Sequence, residues 1–142
     1  MSDQGHALGL RRARIYAVLW GLFLLALTSW PSPPEVPVVS SIPDFDKVVH
    51  AALYGVEGFL LYFAIAWPAG ERRFDWLRAL AVGGVLAVFG TLDELHQAWI
   101  PGRSMEAADA LTDAVAGFAG ALAAVGVSAR KNRGESGRVA ER

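Results

Sequence analysis

The chain contains no cysteine, which excludes disulfides and thiolate chemistry of any kind. It also lacks an H-E-x-x-H pair, a G-x-S-x-G elbow and any established metal-ligand spacing, so no familiar catalytic signature anchors a reaction. Charged residues make up only 19% of the chain, and the basic ones form no helix or aromatic platform of the kind that grips nucleic acid. There is no evident inverted repeat and no continuous polar stripe reaching both ends of the apolar segments, which leaves little basis for a channel or transporter.

What the chain has in abundance is apolar surface. It is 54% hydrophobic, with a mean hydropathy of +0.33. The apolar residues fall into four blocks, Ile15 to Trp30, Val48 to Trp67, Ala79 to Ile100 and Ala107 to Val127. Each is near the roughly 20 residues that span a bilayer. The spacing predicts an all-α integral membrane bundle of four transmembrane helices. A basic N-terminus covers residues 1–14, the membrane domain 15–127 and a basic tail 128–142. The first block is the shortest and covers about 24 Å at about 1.5 Å per residue, so Arg14 is expected to snorkel or the bilayer to thin. Three arginines before an apolar run also fit a signal peptide, but no A-x-A-like cleavage site follows, which favours an uncleaved first helix.

Tryptophans mark the ends of these blocks. Trp30, Trp67, Trp76 and Trp99 fall at expected helix termini, where amphipathic rings suit the headgroup region, and Trp20 alone lies inside a span. Of the 13 basic residues, only Lys47 and Arg103 belong to the first and third connections. The positive-inside rule therefore expects both termini in the cytoplasm. The opposite side is acidic, with Glu35, Asp44, Asp46, Glu57, Asp93, Glu94, Glu106, Asp109 and Asp113 against those two cations.

The connections add geometry. Five prolines between Pro31 and Pro43 predict an extended, helix-free outer loop that covers the outer face. Pro101-Gly102 predicts a tight turn, with Ser104 as N-cap and the third and fourth helices as antiparallel neighbours. Glu94 and Asp109 should then face one another about 7 to 8 Å below the helix ends. The tail from Ser128 to Arg142 is expected to be disordered or to lie on the anionic inner leaflet.

Ionisable groups sit where a membrane makes them costly. A carboxylate at the middle of a membrane helix costs roughly 2.5 to 3.5 kcal/mol on insertion scales, less towards the ends, so a cluster of them suggests a site. Asp46, His50, Tyr54 and Glu57 share one helical face. In the third block Gly83, Ala87, Gly90, Glu94 and Gln97 form a small-residue stripe that ends in polar groups. The fourth contributes Asp109, Asp113, Gly117 and Gly120. Three helices thus direct polar groups at one another from their outer ends, above contacts that small residues bring close.

Asp46-Lys47-x-x-His50-x-x-x-Tyr54, Asp93-Glu94-x-His96-Gln97, Pro101-Gly102-Arg103, Asp109-x-x-x-Asp113 and Gly117-x-x-Gly120 together resemble the VanZ-like family, over Phe45 to Val127. The resemblance implies a small bacterial multi-pass membrane protein, of the kind whose namesake is associated with low-level resistance to the glycopeptide teicoplanin. It implies no biochemical activity. Asp113 falls where the family pattern has Asn or Asp, and Glu57 departs from a usually apolar position.

The candidate site comprises Asp46, Lys47, His50, Tyr54, Glu94, His96, Gln97, Arg103, Asp109 and Asp113. Each also has a plainer role. Lys47 and Arg103 can snorkel, Asp109 can complement a helix N-terminus, Asp93 can face water, and His50, Tyr54, His96 and Gln97 can serve as interfacial or interhelical hydrogen-bonding groups. Three functions follow. The set binds an envelope lipid headgroup or cell-wall precursor, with Arg103 and Lys47 meeting phosphate. Or it is a membrane-embedded enzyme, with a divalent cation on ligands drawn from His50, Glu94, His96, Asp109 and Asp113. Or it is a polar network that fixes the bundle, alone or as an oligomer.

Overall fold

The computed structural model describes residues 3–31, 44–65 and 72–140. These form four helices, α1 (Asp3–Thr28), α2 (Phe45–Ala64), α3 (Arg72–Gln97) and α4 (Ala107–Ala140), with no strand among the described residues. The proline-rich loop expected as an outer cover, and Trp67, lie outside the described residues. Segment 128–140, expected as disordered or lying on the membrane, instead continues α4 as helix. A helix already running needs no new nucleus, and Ala129 and Arg130 favour its continuation past Ser128.

Contacts fix the directions of the helices. Arg14 meets Ala64 and Trp20 meets Leu53, so α1 and α2 are antiparallel. Tyr54 meets Asp93 and Tyr62 meets Asp75, so α2 and α3 are antiparallel as well. The α3–α4 pair is joined by a tight turn with Gly102 at φ 78°, a left-handed conformation that glycine adopts without a Cβ penalty. Ser104 does not cap α4. Glu106 does the work of that position, its carbonyl accepting from the Asp109 and Ala110 amides, while its own N–H donates to Glu94 Oε2 at 2.8 Å. That bond ties the loop down to α3 and delays the start of the helix.

Small residues set how close the helices come. A Cβ built on Gly58 would overlap the Gly117 carbonyl, and one on Gly120 would overlap the Gly55 carbonyl. Gly55-x-x-Gly58 on α2 thus interlocks with Gly117-x-x-Gly120 on α4, a contact that van der Waals packing alone can hold in lipid. Tyr54, Tyr62, Ala79, Val82, Leu86, Ala121, Ala124 and Leu24 of α1 form the apolar core.

The burial pattern is inverted relative to a water-soluble bundle. Asp93, Glu94, Gln97, Asp109 and Asp113 are buried, whereas Leu19, Leu22, Val85, Val88, Leu92, Leu111 and Val115 are exposed. Two segments, Asp75–Gln97 and Ala107–Arg130, are long and apolar enough to cross a membrane, and only 28% and 22% of them is buried. The core helix of a soluble protein would be mostly buried, so these helices present their apolar faces outward. In α1 three arginines precede the apolar run, and α2 carries Asp46, Lys47, His50 and Glu57, which lowers the hydropathy of both.

Candidate functional site

The acidic groups gather at the end of the bundle where α1 and α3 finish and α2 and α4 begin. They divide into two halves with different chemistry.

The first half centres on Asp93, whose carboxylate is fully engaged. Asp93 is 2% exposed, so the expectation that it faces water does not hold. Its Oδ1 accepts from Thr28 Oγ1 at 2.8 Å and its Oδ2 from Tyr54 OH at 3.2 Å, with Gln97 Nε2 at 3.5 Å. Asp93 and Glu94 are adjacent and therefore point about 100° apart on the helix, and α1 closes over the face that would otherwise meet solvent. Gln97 Nε2 also donates to Glu94 Oε1 at 3.0 Å. Arg103 reaches α1 too, donating from Nη2 to the Leu27 carbonyl at 3.0 Å, and its Nε is buried without a partner.

The second half is not satisfied. His50 Nδ1 lies 2.9 Å from Asp113 Oδ1, with side-chain exposures of 11% and 0%. Asp113 Oδ2 and Asp109 Oδ1 are buried with no hydrogen-bond partner, although Lys47 Nζ lies 3.2 Å from that Asp109 oxygen as an ion pair. Gly90 makes room for this arrangement, since a Cβ there would come within 2.8 Å of Asp113 Cβ. One ligand atom from each of His50, Glu94 and Asp109 lies within 4.8 Å of the others. A second trio, Asp46, Glu106 and Asp109, already surrounds the Lys47 ammonium, which lies 3.0 Å from Asp46 and 3.3 Å from Glu106. The hydrogen bond that the ammonium donates to Asp46 is the main reason it is held above the usual lysine range, and the same bond holds Asp46 below the usual carboxylate range.

Of the residues singled out in the sequence, Lys47, His50, Glu94, Asp109 and Asp113 converge, with Asp46 at the exposed margin. Tyr54 and Gln97 belong to the Asp93 network. His96 is half-buried and stands outside both groups of metal-competent atoms. Arg103 meets a backbone carbonyl rather than the carboxylate cluster. Sequence reasoning missed Thr28, whose hydroxyl looks like the end of an apolar run, and gave Asp93 the wrong environment. Glu57 lies deeper, 7% exposed with Oε2 unpartnered, and its Oε1 would be 3.6 Å from a Cβ on Gly21 of α1.

Apart from this cluster, an open apolar groove of about 870 Å³ runs along the outside of the α2–α4 seam, lined by Ala51, Val56, Phe59, Leu111, Val115 and Ala123 among others. Its upper end, at Ala51 and Leu111, is one residue from His50 and two from Asp109 in sequence. Comparison with protein-family models, curated proteins and solved structures returns no match.

Proposed function

We propose that this chain is a four-span, VanZ-like protein of the bacterial inner membrane whose outward-facing polar site binds the headgroup of an envelope lipid or lipid-linked cell-wall precursor. The observation that carries the reading is the buried Asp113 oxygen that accepts no hydrogen bond, beside an Asp109 carboxylate met only by a lysine it shares with Asp46 and Glu106. A membrane protein that needed polar groups only for packing would be expected to pair them, as Asp93 is paired. The apolar groove beside the cluster suits an acyl chain, because the face that holds it would be turned to lipid. Leu111 to Ala123 along the groove is about 18 Å of helix, the length of an ordinary acyl chain.

Orientation follows the charges. At the end opposite the carboxylates, Arg14 Nε donates to the Ala64 carbonyl and Arg78 Nη2 to the Ile65 carbonyl. Basic residues at that end favour the cytoplasm, which supports the reading of the acidic end as the outer one. The association of the family namesake with glycopeptide resistance gives the lipid reading its physiological direction, a ligand drawn from cell-wall assembly.

Native mass spectrometry of protein released from gentle detergent tests the proposal. Wild type is expected to retain a phosphate-bearing lipid that a folded Asp109→Asn, Asp113→Asn double variant releases. Identical bare spectra for both would count against a lipid site.

A further inference from the structure

The geometry points to a divalent transition-metal cation held by His50, Glu94 and Asp109, with Asp113 orienting the imidazole. The inference rests on the outer polar end being a ligand site, and it names the first ligand there. Three independent observations support it.

Geometry is the first. Ligand atoms within 4.8 Å of one another can surround a single ion, whose bonds to nitrogen and oxygen are about 2.0–2.2 Å long. Asp113 Oδ1 lies 2.9 Å from His50 Nδ1, which leaves Nε2 as the coordinating atom. A carboxylate that fixes the tautomer and raises the basicity of a ligating histidine is the recurrent outer shell of metal sites. Glu94 is oriented in the same manner, by Gln97 Nε2 on one oxygen and the Glu106 amide on the other.

The second is an orphaned acceptor. Asp113 is 0% exposed and its Oδ2 accepts no hydrogen bond, while the buried Asp109 Oδ1 has only the Lys47 ammonium, 3.2 Å away and shared with Asp46 and Glu106. Such oxygens are costly unless something positive meets them.

Charge is the third. Asp93, Glu94, Asp109 and Asp113 are all buried at this end. Facing them are the Lys47 ammonium, shared with Asp46 and Glu106, and the His50 imidazole, while Arg103 is committed to Leu27. The surplus is negative, and it would repel a headgroup phosphate. A divalent cation would reverse the local sign and offer a phosphate oxygen a ligand. One imidazole with carboxylates suits Zn²⁺ or Mn²⁺ better than Ca²⁺, which takes oxygen ligands.

The test uses the full chain in mild detergent, stripped with a chelator and titrated calorimetrically with Mn²⁺ and with Zn²⁺. One ion per chain is expected for wild type and for the surface control Thr91→Ala. His50→Gln and Asp109→Asn should lose it, and Asp113→Asn should bind on the order of 10- to 100-fold more weakly, as outer-shell changes do. Pulsed electron paramagnetic resonance of the Mn²⁺-loaded wild type should show coupling to an imidazole nitrogen, a readout that needs no variant to fold. Absence of that coupling, no binding by wild type, or unchanged affinity in His50→Gln would overturn the cation site. Metal bound without any retained lipid would support the cation and overturn the lipid reading. Lipid retained by chelated protein that binds neither metal would do the reverse.

Discussion

His50 and Asp113 face each other across the α2–α4 seam, Nδ1 to Oδ1 at 2.9 Å, and the other Asp113 oxygen is buried with nothing to accept. One carboxylate thus does two things: it fixes an imidazole on a neighbouring helix and keeps an acceptor in reserve. Asp93, equally buried on α3, has both oxygens engaged by Thr28 and Tyr54. The contrast separates a carboxylate whose oxygens are both engaged from one with an oxygen left free, and the proposed ligand site rests on the second.

Asp93→Ala should therefore act on stability. It strands the buried Tyr54 hydroxyl, at about 1–3 kcal/mol for an unpaired donor, while Thr28 can turn back to the Leu24 or Leu25 carbonyl. Thermal unfolding in detergent is expected to show a clear drop in midpoint, while the folded fraction keeps its ligand.

The α2–α4 seam makes a second, geometric prediction. Gly58→Ala drives a methyl group into the Gly117 backbone, where no side chain can move aside, and should cost about 1–3 kcal/mol as overpacking does. Gly84→Ala meets nothing within 4 Å and should be neutral or stabilising by up to about 1 kcal/mol through helix propensity. Paired melting curves of the two variants check the close approach directly.

Lys47 predicts a dependence on pH and salt. Its affinity for protons is raised by Asp46 foremost and then by Asp109 and Glu106, while that of Asp46 is lowered. The raised lysine stabilises fully below the ordinary lysine range and loses that contribution only as pH climbs through its own higher value. The depressed Asp46 contributes above the ordinary carboxylate range and loses its contribution as pH falls through its own lower value. Between these limits the tether from α2 to the start of α4 should be constant. Lys47→Gln should lower the melting midpoint less than Asp93→Ala does, and the difference from wild type should shrink in high salt.

Topology is accessible because the chain has no cysteine of its own. In intact cells a membrane-impermeant thiol reagent should label Ser104→Cys, whereas Ala129→Cys should react only after permeabilisation. The reverse pattern would invert the proposed orientation.

Much of this arrangement could be read from the sequence, and the physical reasons it stopped short are specific. Glu94, Asp109 and Asp113 stand out because carboxylates are expensive in apolar helices, and the turn at Gly102 carries its own chemical signature. The fate of Asp93 was hidden because it depends on α1 closing over α3, a tertiary contact that helical periodicity does not encode. Arg103 was expected to grip an anion, but its partner is the Leu27 carbonyl, and a backbone acceptor leaves no trace in residue identity. Ser104 looked like an N-cap on local grounds alone, until the bond between Glu94 and the Glu106 amide moved the start of α4. Gly55-x-x-Gly58 was overlooked beside the more conspicuous glycines of α3 and α4, although the partner carbonyls it admits set the closest helix contact in the fold.

The most direct test of the central claim compares Asp109→Asn with wild type by thermal unfolding and by native mass spectrometry of the same sample. Asp109→Asn gives up the ion pair with Lys47, which keeps its contacts to Asp46 and Glu106. If Asp109 serves a ligand, the variant should melt only slightly below wild type, while the retained ligand disappears. A much lower melting temperature with the ligand still bound would contradict the account and make the cluster a structural network.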